Sequence, residues 1–512
     1  MNAIFEDARL GDALKEYVAG SRWFRAKTKQ ITGIEIEDAL RLPETDYYFL
    51  VLGIRYSEGE GDRYVLPIAL AQADSGEAIA RAGDHALTNA LNEKRFRDEL
   101  LNAIACERRI PGRRGTLIAS RTGALERKCG DAALESAVSR AEQSNTSIIY
   151  NGCYILKLFR KLEQGTNPDV EIGNFLTVHR FVNTPAVLGN LSYEHEGQAS
   201  AAGILQAFVR NEGDAWKHTL EQLTGFFERA LASDTDPPRR ESEHPLELSS
   251  AQVPEKIRSY IGSYLESAAL LGRRTAEMHA ALASGAADAD FAPEPFTAED
   301  AGRLHRDLVG EADIVFGLLR RKQAAVSGAV VEPVRELLRL ENHVAERFAA
   351  IQEQSVSAVR IRHHGDYHLG QVLYTGRDFM IIDFEGEPAR PLAERRAKAL
   401  ALRDVAGMVR SFQYAAFAAL FGQVPGLVIA PGSRERVEAW AAAWNAYVSA
   451  AYLQSYFGAA EGKPFVPDNA RERRVLLDAF LLQKALYEVG YELNNRPDWL
   501  QIPVLGILSL VR

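Results

Sequence analysis

The spacing of apolar residues changes near residue 209, and that change limits what the chain can fold into. Before it, short apolar runs with β-branched and aromatic residues are separated by turn-forming segments, as in strands and hairpins. Residues 47–56 and 64–71 are two such runs, and Ser57-Glu-Gly-Glu-Gly-Asp62 between them is a hairpin signal. Residues 147–159 and 201–208 are strand-like as well. Residues 92–108 and 167–181 read as helices, the second opened by Asn-Pro-Asp. After residue 209 the apolar positions recur near every 3.6 residues, over 259–283, 298–323, 334–354, 399–420, 434–456 and 471–494. The polar, proline-containing stretch 233–254 reads as a loop or lid. The expected class is α+β. A chain of 512 residues exceeds one ordinary core, so we expect a β-rich cap over 1–95, a β-rich lobe over 96–208 and a mainly helical lobe over 209–512.

The chemistry concentrates in His363-His-Gly-Asp-Tyr-His-Leu-Gly-Gln371, followed by Met380-Ile-Ile-Asp-Phe-Glu385. Asp366 is followed five residues on by an amide, Gln371, and seventeen on by a second carboxylate, Asp383. Phosphoryl transfer uses such a set: one carboxylate orients the attacking hydroxyl, while an amide and a second carboxylate hold Mg²⁺ on the phosphates of ATP. The kinase catalytic loop likewise places Asn five residues after its Asp. Glu385 is a candidate further metal ligand.

This reading calls for a strand lysine and an acid to hold it. Tyr154-Ile-Leu-Lys-Leu-Phe159 has one charged residue, Lys157, inside an apolar strand, which is costly without a partner. Glu171, fourteen residues on at the start of a helix, is the expected partner; the bland alternative is an edge-strand lysine facing solvent. Ser144, Thr146 and Ser147, just upstream, can donate to phosphate oxygens. Neither G-x-G-x-x-G nor G-x-x-x-x-G-K-[ST] occurs, which excludes a Walker-type NTPase. A histidine-metal hydrolase built on His363, His364 and His368 would need further ligands, but the other histidines are scattered; these three suit bracing of the loop.

For an acceptor site, Lys484, Tyr487, Glu488 and Tyr491 fall on one helix face, and His364 adjoins Asp366. Glu385 and Glu387 are either an acidic turn neutralised by Arg390, Arg395 or Arg403, or contacts to metal and sugar. Arg403 and Asp404 read as helix-to-loop anchors, and Trp440 and Trp444 as packing.

Composition excludes other classes. A net charge of −9 argues against nucleic-acid and anionic-membrane partners. The cysteines, Cys106, Cys129 and Cys153, are odd in number and lack CxxC spacing, so a reducing compartment with no disulfide framework is expected. Neither a signal peptide nor a membrane span is read, and the expected location is cytoplasmic.

His364-Gly-Asp-Tyr-His-Leu-Gly-Gln371 with Asp383-Phe-Glu-Gly-Glu-Pro-Ala-Arg-Pro-Leu392 and Leu402-Arg-Asp-Val-Ala-Gly-Met-Val-Arg-Ser411 resembles the bacterial maltokinases, members of the aminoglycoside-phosphotransferase-like kinases. The likeness extends over most of the chain, from Arg22-Trp-Phe24 to Arg496-Pro-Asp-Trp499; Arg25-Ala26-Lys27 departs from it where the family usually has Gly before Lys. The resemblance implies a two-lobed kinase-like fold. It also implies Mg²⁺- and ATP-dependent phosphorylation of maltose at its anomeric hydroxyl. The product, maltose 1-phosphate, feeds α-glucan (glycogen) synthesis, often beside trehalose synthase. The rivals are a related kinase acting on glucosamine and an inactive scaffold that binds trehalose synthase.

Overall fold

The hairpin signal at 57–62 joins two long strands, β2 (Tyr47–Tyr56) and β3 (Asp62–Gln72), paired in register from Tyr47–Ala69 to Ile54–Asp62. With β1 (Ile31–Arg41), β4 (Ala80–Ala82) and β5 (His85–Asn89) they form an antiparallel sheet in the order β1-β2-β3-β5-β4. Helix α1 (Arg9–Gly20) lays Leu10, Leu14 and Val18 against Leu50, Leu52 and Ile68 of this sheet. The structure is a computed structural model and describes residues 3–6, 9–72, 78–139, 144–233, 236–237, 244–354, 356–430 and 432–511. Parts of the 233–254 loop fall outside the described residues; within it, Pro245–Leu248 is a short helix. The chain divides into two compact units, Met1–Arg210 and Asn211–Arg512.

The first unit has a second antiparallel sheet. Its strands are β6 (Arg109–Pro111), β7 (Gly115–Arg121), β8 (Ser136–Val138), β9 (Asn145–Tyr150), β10 (Tyr154–Phe159), β12 (Val187–His195) and β13 (Gln198–Ala207), ordered β6-β7-β12-β13-β10-β9-β8. Strand β11 (Lys161–Leu162) leaves this succession and pairs with β3, tying the two sheets together. A second tie is Asp38, fully buried on β1. Its carboxylate accepts the N–H groups of Arg113, Arg114 and Gly115 at 2.7, 3.1 and 2.8 Å and the Tyr193 hydroxyl at 3.0 Å. Four donors compensate one desolvated charge. Helices α2 (Lys94–Ala105) and α3 (Pro168–Val178) complete the unit. The cysteine expectation is corrected here. Cys106, which caps α2, is disulfide-bonded to Cys129, and Cys153 is free and exposed. Arg127 draws the loop onto the helix by donating to the Asn102 side chain at 3.3 Å.

The second unit is helical: α4 (Ala215–Ala232), α5 (Tyr264–Leu282), α6 (Ala298–Lys322), α7 (Val331–Arg339), α8 (Glu341–Ala349), α9 (Leu402–Phe417), α10 (Arg434–Ala459), α11 (Ala470–Asn495) and α12 (Gln501–Val511). Three expected helices differ at their ends. The 259–283 segment is divided by Gly262, whose φ of 67° closes the short helix Glu255–Ile261 before α5 begins. The 334–354 segment bends at Leu340 into α7 and α8. The 399–420 helix starts only at Leu402, because the backbone of Ala399 bridges to Ile361. Trp440 and Trp444 are fully buried packing residues, Trp444 stacking on Tyr264. A hairpin of β14 (Val372–Tyr374) and β15 (Phe379–Ile381) is set among these helices. Among the described residues no helix is long and apolar enough to cross a membrane.

Candidate active site

The loop from His363 to Gln371 is fixed from beneath by Asp404 in the first turn of α9. Asp404 is buried and accepts the backbone N–H of His364 at 2.8 Å and of Gly365 at 2.9 Å; His279 Nε2 lies 3.0 Å from it, with Tyr456 on the other ring nitrogen. Burial alone would raise its pKa, but the His279 hydrogen bond and the surrounding histidines hold the carboxyl well below the usual range. Gly365 has φ 84°, a conformation that glycine adopts without strain. A Cβ on Gly407 would meet the Tyr367 carbonyl oxygen at 2.6 Å, so α9 passes under the loop only with glycine there. Asp404 thus acts as the anchor that the sequence suggests.

His364 turns inward. Its Nε2 lies 3.0 Å from the Ile382 carbonyl oxygen, and its Nδ1 accepts from the Asp366 N–H at 3.4 Å. It braces the loop against the hairpin and is not among the residues that line the cavity at Asp366. Burial pushes the His363 pKa down to about 4. The hairpin pairs Val372 with Ile381, and the Ile382 N–H donates to the Gln371 carbonyl at 3.0 Å. Gln371 and Asp383 therefore emerge together at its open end. Asp383 has φ 66°, a strained conformation for a non-glycine residue and one common at functional sites. Its carboxylate and that of the buried Glu385 approach within 4.8 Å. An amide oxygen and two carboxylates are hard oxygen donors, the ligand chemistry that suits Mg²⁺.

Asp366 opens into a cavity of about 500 Å³, also lined by Lys484, Tyr487, Glu488 and Tyr491, the four helix residues the sequence groups on one face. Lys484 Nζ lies 3.2 Å from Asp366 Oδ1 and 3.8 Å from Glu387 Oε2, and the Tyr487 hydroxyl donates to Glu387 at 3.0 Å. Glu387 is thus engaged inside the cavity by a lysine and a phenol. Burial works to raise the Asp366 pKa, but Lys484 and His368 overcome it and hold it below the ordinary value. Burial and the charge of Asp366 raise that of Glu387.

Sequence reasoning missed the far wall. Glu488 is paired with the buried Arg410 at 3.0 Å; Glu492 accepts from Arg496 at 2.6 Å and from the Tyr414 hydroxyl at 3.2 Å. Trp499 stacks on Phe421 with centroids 4.9 Å apart and on Tyr414 at 6.3 Å, and the Arg496 guanidinium covers it at 4.6 Å. The available signal was Arg496-Pro-Asp-Trp499, quoted above only as part of the resemblance.

In the first unit, Lys157 lies on an interior strand. It pairs with Ser147 of β9 and Ile204 of β13, which excludes the edge-strand reading. Its Nζ is 3.3 Å from Asp169 Oδ2, and the two side chains are 12% and 1% exposed. Asp169 and the half-buried Glu171 share the first turn of α3, which Asn167 caps by accepting from the N–H of Asp169 and Val170. Asp169 is a partner that sequence reasoning did not name. Thr146 and Ser147 are buried on β9, where the Thr146 hydroxyl accepts from Arg160 at 2.9 Å; Ser144 is half-buried just before the strand.

Residues 17–98 match the maltokinase N-terminal cap domain. A glucosamine kinase of Streptacidiphilus jiangxiensis is 24% identical over 373 residues, 72% of each chain. One from Mycolicibacterium smegmatis is 25% identical over 374 residues, 72% of this chain and 78% of its own. A solved glucosamine kinase in complex with glucosamine, ADP and inorganic phosphate superposes with a TM-score of 0.63 at 19% identity, covering 97% of this chain and 99% of that one. Another crystal form gives 0.62 at 20% identity. The chain shares the fold of these solved kinases and carries a maltokinase-type cap domain within residues 17–98. The cap match and the curated relatives together support a sugar kinase.

Proposed function

We propose that the protein is an ATP-dependent maltokinase, forming maltose 1-phosphate. The observation that carries the choice of sugar is that three carboxylates lining the acceptor cavity, Glu387, Glu488 and Glu492, already have partners. Glu387 is engaged by Lys484 and Tyr487, Glu488 by Arg410, and Glu492 by Arg496 and Tyr414. An amino sugar would seek an uncompensated carboxylate for its ammonium; compensated groups suit the hydroxyls of a neutral sugar. The cavity is also long. Lys484 and Tyr491, seven residues apart on α11, are ~10 Å apart along the axis, and the aromatic wall lies beyond, so a second sugar ring has a surface on which to stack.

In this reading Asp366 accepts the proton of the anomeric hydroxyl as its oxygen attacks the γ-phosphorus of ATP, and ADP leaves. Gln371, Asp383 and Glu385 would hold Mg²⁺, which when bound would neutralise phosphate charge. Lys157, with Glu171 and Asp169 of α3, meets the α- and β-phosphates, and Ser144, Thr146 and Ser147 offer donors. The cap over 1–95, the β-lobe over 96–208 and the helical lobe over 209–512 are the proposed domains. A cytoplasmic setting, a role in α-glucan synthesis and an association with trehalose synthase follow from the maltokinase reading, and co-purification tests the last.

Glucosamine kinase is the second reading, favoured by the relatives' identity. ADP release with ATP and a panel of maltose, glucose, glucosamine and trehalose decides between them. Maltose is expected to give the highest kcat/KM. Release with glucosamine and none with maltose would overturn the choice of sugar, and none with any sugar would favour the scaffold.

A further inference from the structure

A groove of about 820 Å³ in the helical unit is lined by six arginines and one lysine against four carboxylates, a local positive excess in a chain of net charge −9. Most of these cations are matched. Arg360 pairs with Glu294 and Asp300, both at 3.0 Å, Lys398 with Glu294 at 2.7 Å, and Arg390 with Glu311 at 2.7 Å and Glu394 at 3.3 Å. Arg403 differs. Among the described residues its guanidinium has no hydrogen bond and no ion pair, although it faces the groove. Burial, and then the charge of Arg390, push its pKa below the ordinary arginine value. The residue is partly exposed, and the planar fork of an unpaired guanidinium matches phosphate oxygens.

Arg390 and Arg403 have a second face. Both also line a small cavity that contains Asp366, Glu387, Lys484 and Tyr487. The Glu311 carboxylate that binds Arg390 accepts from Gln483 Nε2 at 2.8 Å through its other oxygen. Gln483 directly precedes Lys484 on α11. An anion drawing on Arg390 therefore competes with Glu311 and disturbs the residue beside the lysine that holds Asp366.

We propose that this groove binds a phosphate dianion, free or as a monoester, with Arg403 and Arg390 as its main ligands and Arg396 at its rim. Occupancy reaches the acceptor site through Arg390, Glu311 and Gln483. The binding stands apart from the maltose reading; only the coupling rests on it.

Calorimetric titration of the full chain, without nucleotide, with inorganic phosphate and separately with glucose 1-phosphate tests the binding. Dissociation constants in the millimolar range or below are expected, weakened about tenfold by Arg403→Gln and about threefold by Arg396→Gln. Lys157→Met and Tyr491→Ala should leave them unchanged. Tighter binding of the ester assigns the ester as ligand, and equal affinities assign the free ion. Binding that survives Arg403→Gln and is lost in Lys157→Met or Tyr491→Ala puts the phosphate in the reaction site and overturns the proposal. So does the absence of heat up to ~10 mM. Should Arg403→Gln fail to fold by circular dichroism, Arg396→Gln and Arg403→Lys carry the same comparison.

Discussion

Lys484 is shared between Asp366, 3.2 Å away, and Glu387, 3.8 Å away, and the two carboxyls it bridges shift in opposite directions. Asp366 is held below its ordinary pKa despite its burial, and Glu387 is held above by burial and by the charge of Asp366. Two coupled groups with separated proton affinities are how a site keeps one carboxylate ionised for base work. The acid limb of kcat/KM should therefore report Asp366 and lie below the usual carboxylate range. Lys484 lowers both values, so Lys484→Met should move the limb to higher pH by about one unit and cut kcat/KM about 10²-fold at neutral pH. A pH–rate profile measures both; a limb that stays in place would show that the ammonium does not set it.

If Asp366 takes the proton of the attacking hydroxyl, Asp366→Asn removes the acceptor while preserving shape. We expect kcat to fall ~10³-fold, with the nucleotide dissociation constant unchanged within ~twofold because Lys157 and the metal ligands remain. Single-turnover phosphoryl transfer together with nucleotide titration reads both. Near-wild-type turnover would remove Asp366 from the base role.

The anchor beneath the loop makes a stability prediction. Asp404→Ala leaves the buried N–H groups of His364 and Gly365, and His279, without their acceptor, a loss of about 3–5 kcal/mol. The sign with pH follows from the depressed pKa. The stabilisation is complete above the unfolded carboxyl value of about 3.9 and disappears as pH falls through the lower folded value. Urea unfolding of wild type and variant should show the full gap at pH 7, most of it at pH 4, and a narrowing only in stronger acid. A gap that vanished between pH 6 and 5 would assign the effect to a histidine instead.

Much of this was legible in the sequence because it is local. The 3.6-residue periods of α6, α10 and α11 placed those helices within a few residues, and the 57–62 turn placed β2 and β3. Asp366, Gln371 and Asp383 were grouped as candidates because their spacing within one loop and hairpin is itself the signal. What escaped depends on contacts distant in the chain. Asp169 and Glu171 share one helical turn, and spacing alone did not reveal that Asp169 reaches Lys157. Arg410 meets Glu488 across 78 residues. The cysteine pair was hidden by the odd count, since nothing local says that the loop at 129 folds back on the end of α2. Strand β12 (Val187–His195) lacks a clean alternation: its Val187-Leu-Gly189 start is buried throughout, and its period is weak.

Trp499 tests the length of the cavity. It stacks on Tyr414 and on Phe421, under the Arg496 guanidinium, and lines the same cavity as Asp366 and Tyr491. In the maltose reading the ring that is attacked lies next to Asp366 and the second ring meets that wall. Trp499→Ala removes the stacking face and leaves Lys484, Glu387 and Asp366 in place. The KM for maltose should rise about tenfold, the equivalent of roughly 1.4 kcal/mol of lost aromatic contact, with kcat nearly unchanged. Glucose, which lacks the second ring, should change less than about twofold. Steady-state kinetics with both sugars give the comparison. Equal losses for the two would mean that Trp499 supports the fold of the pocket and touches no sugar, and the acceptor would then be a monosaccharide.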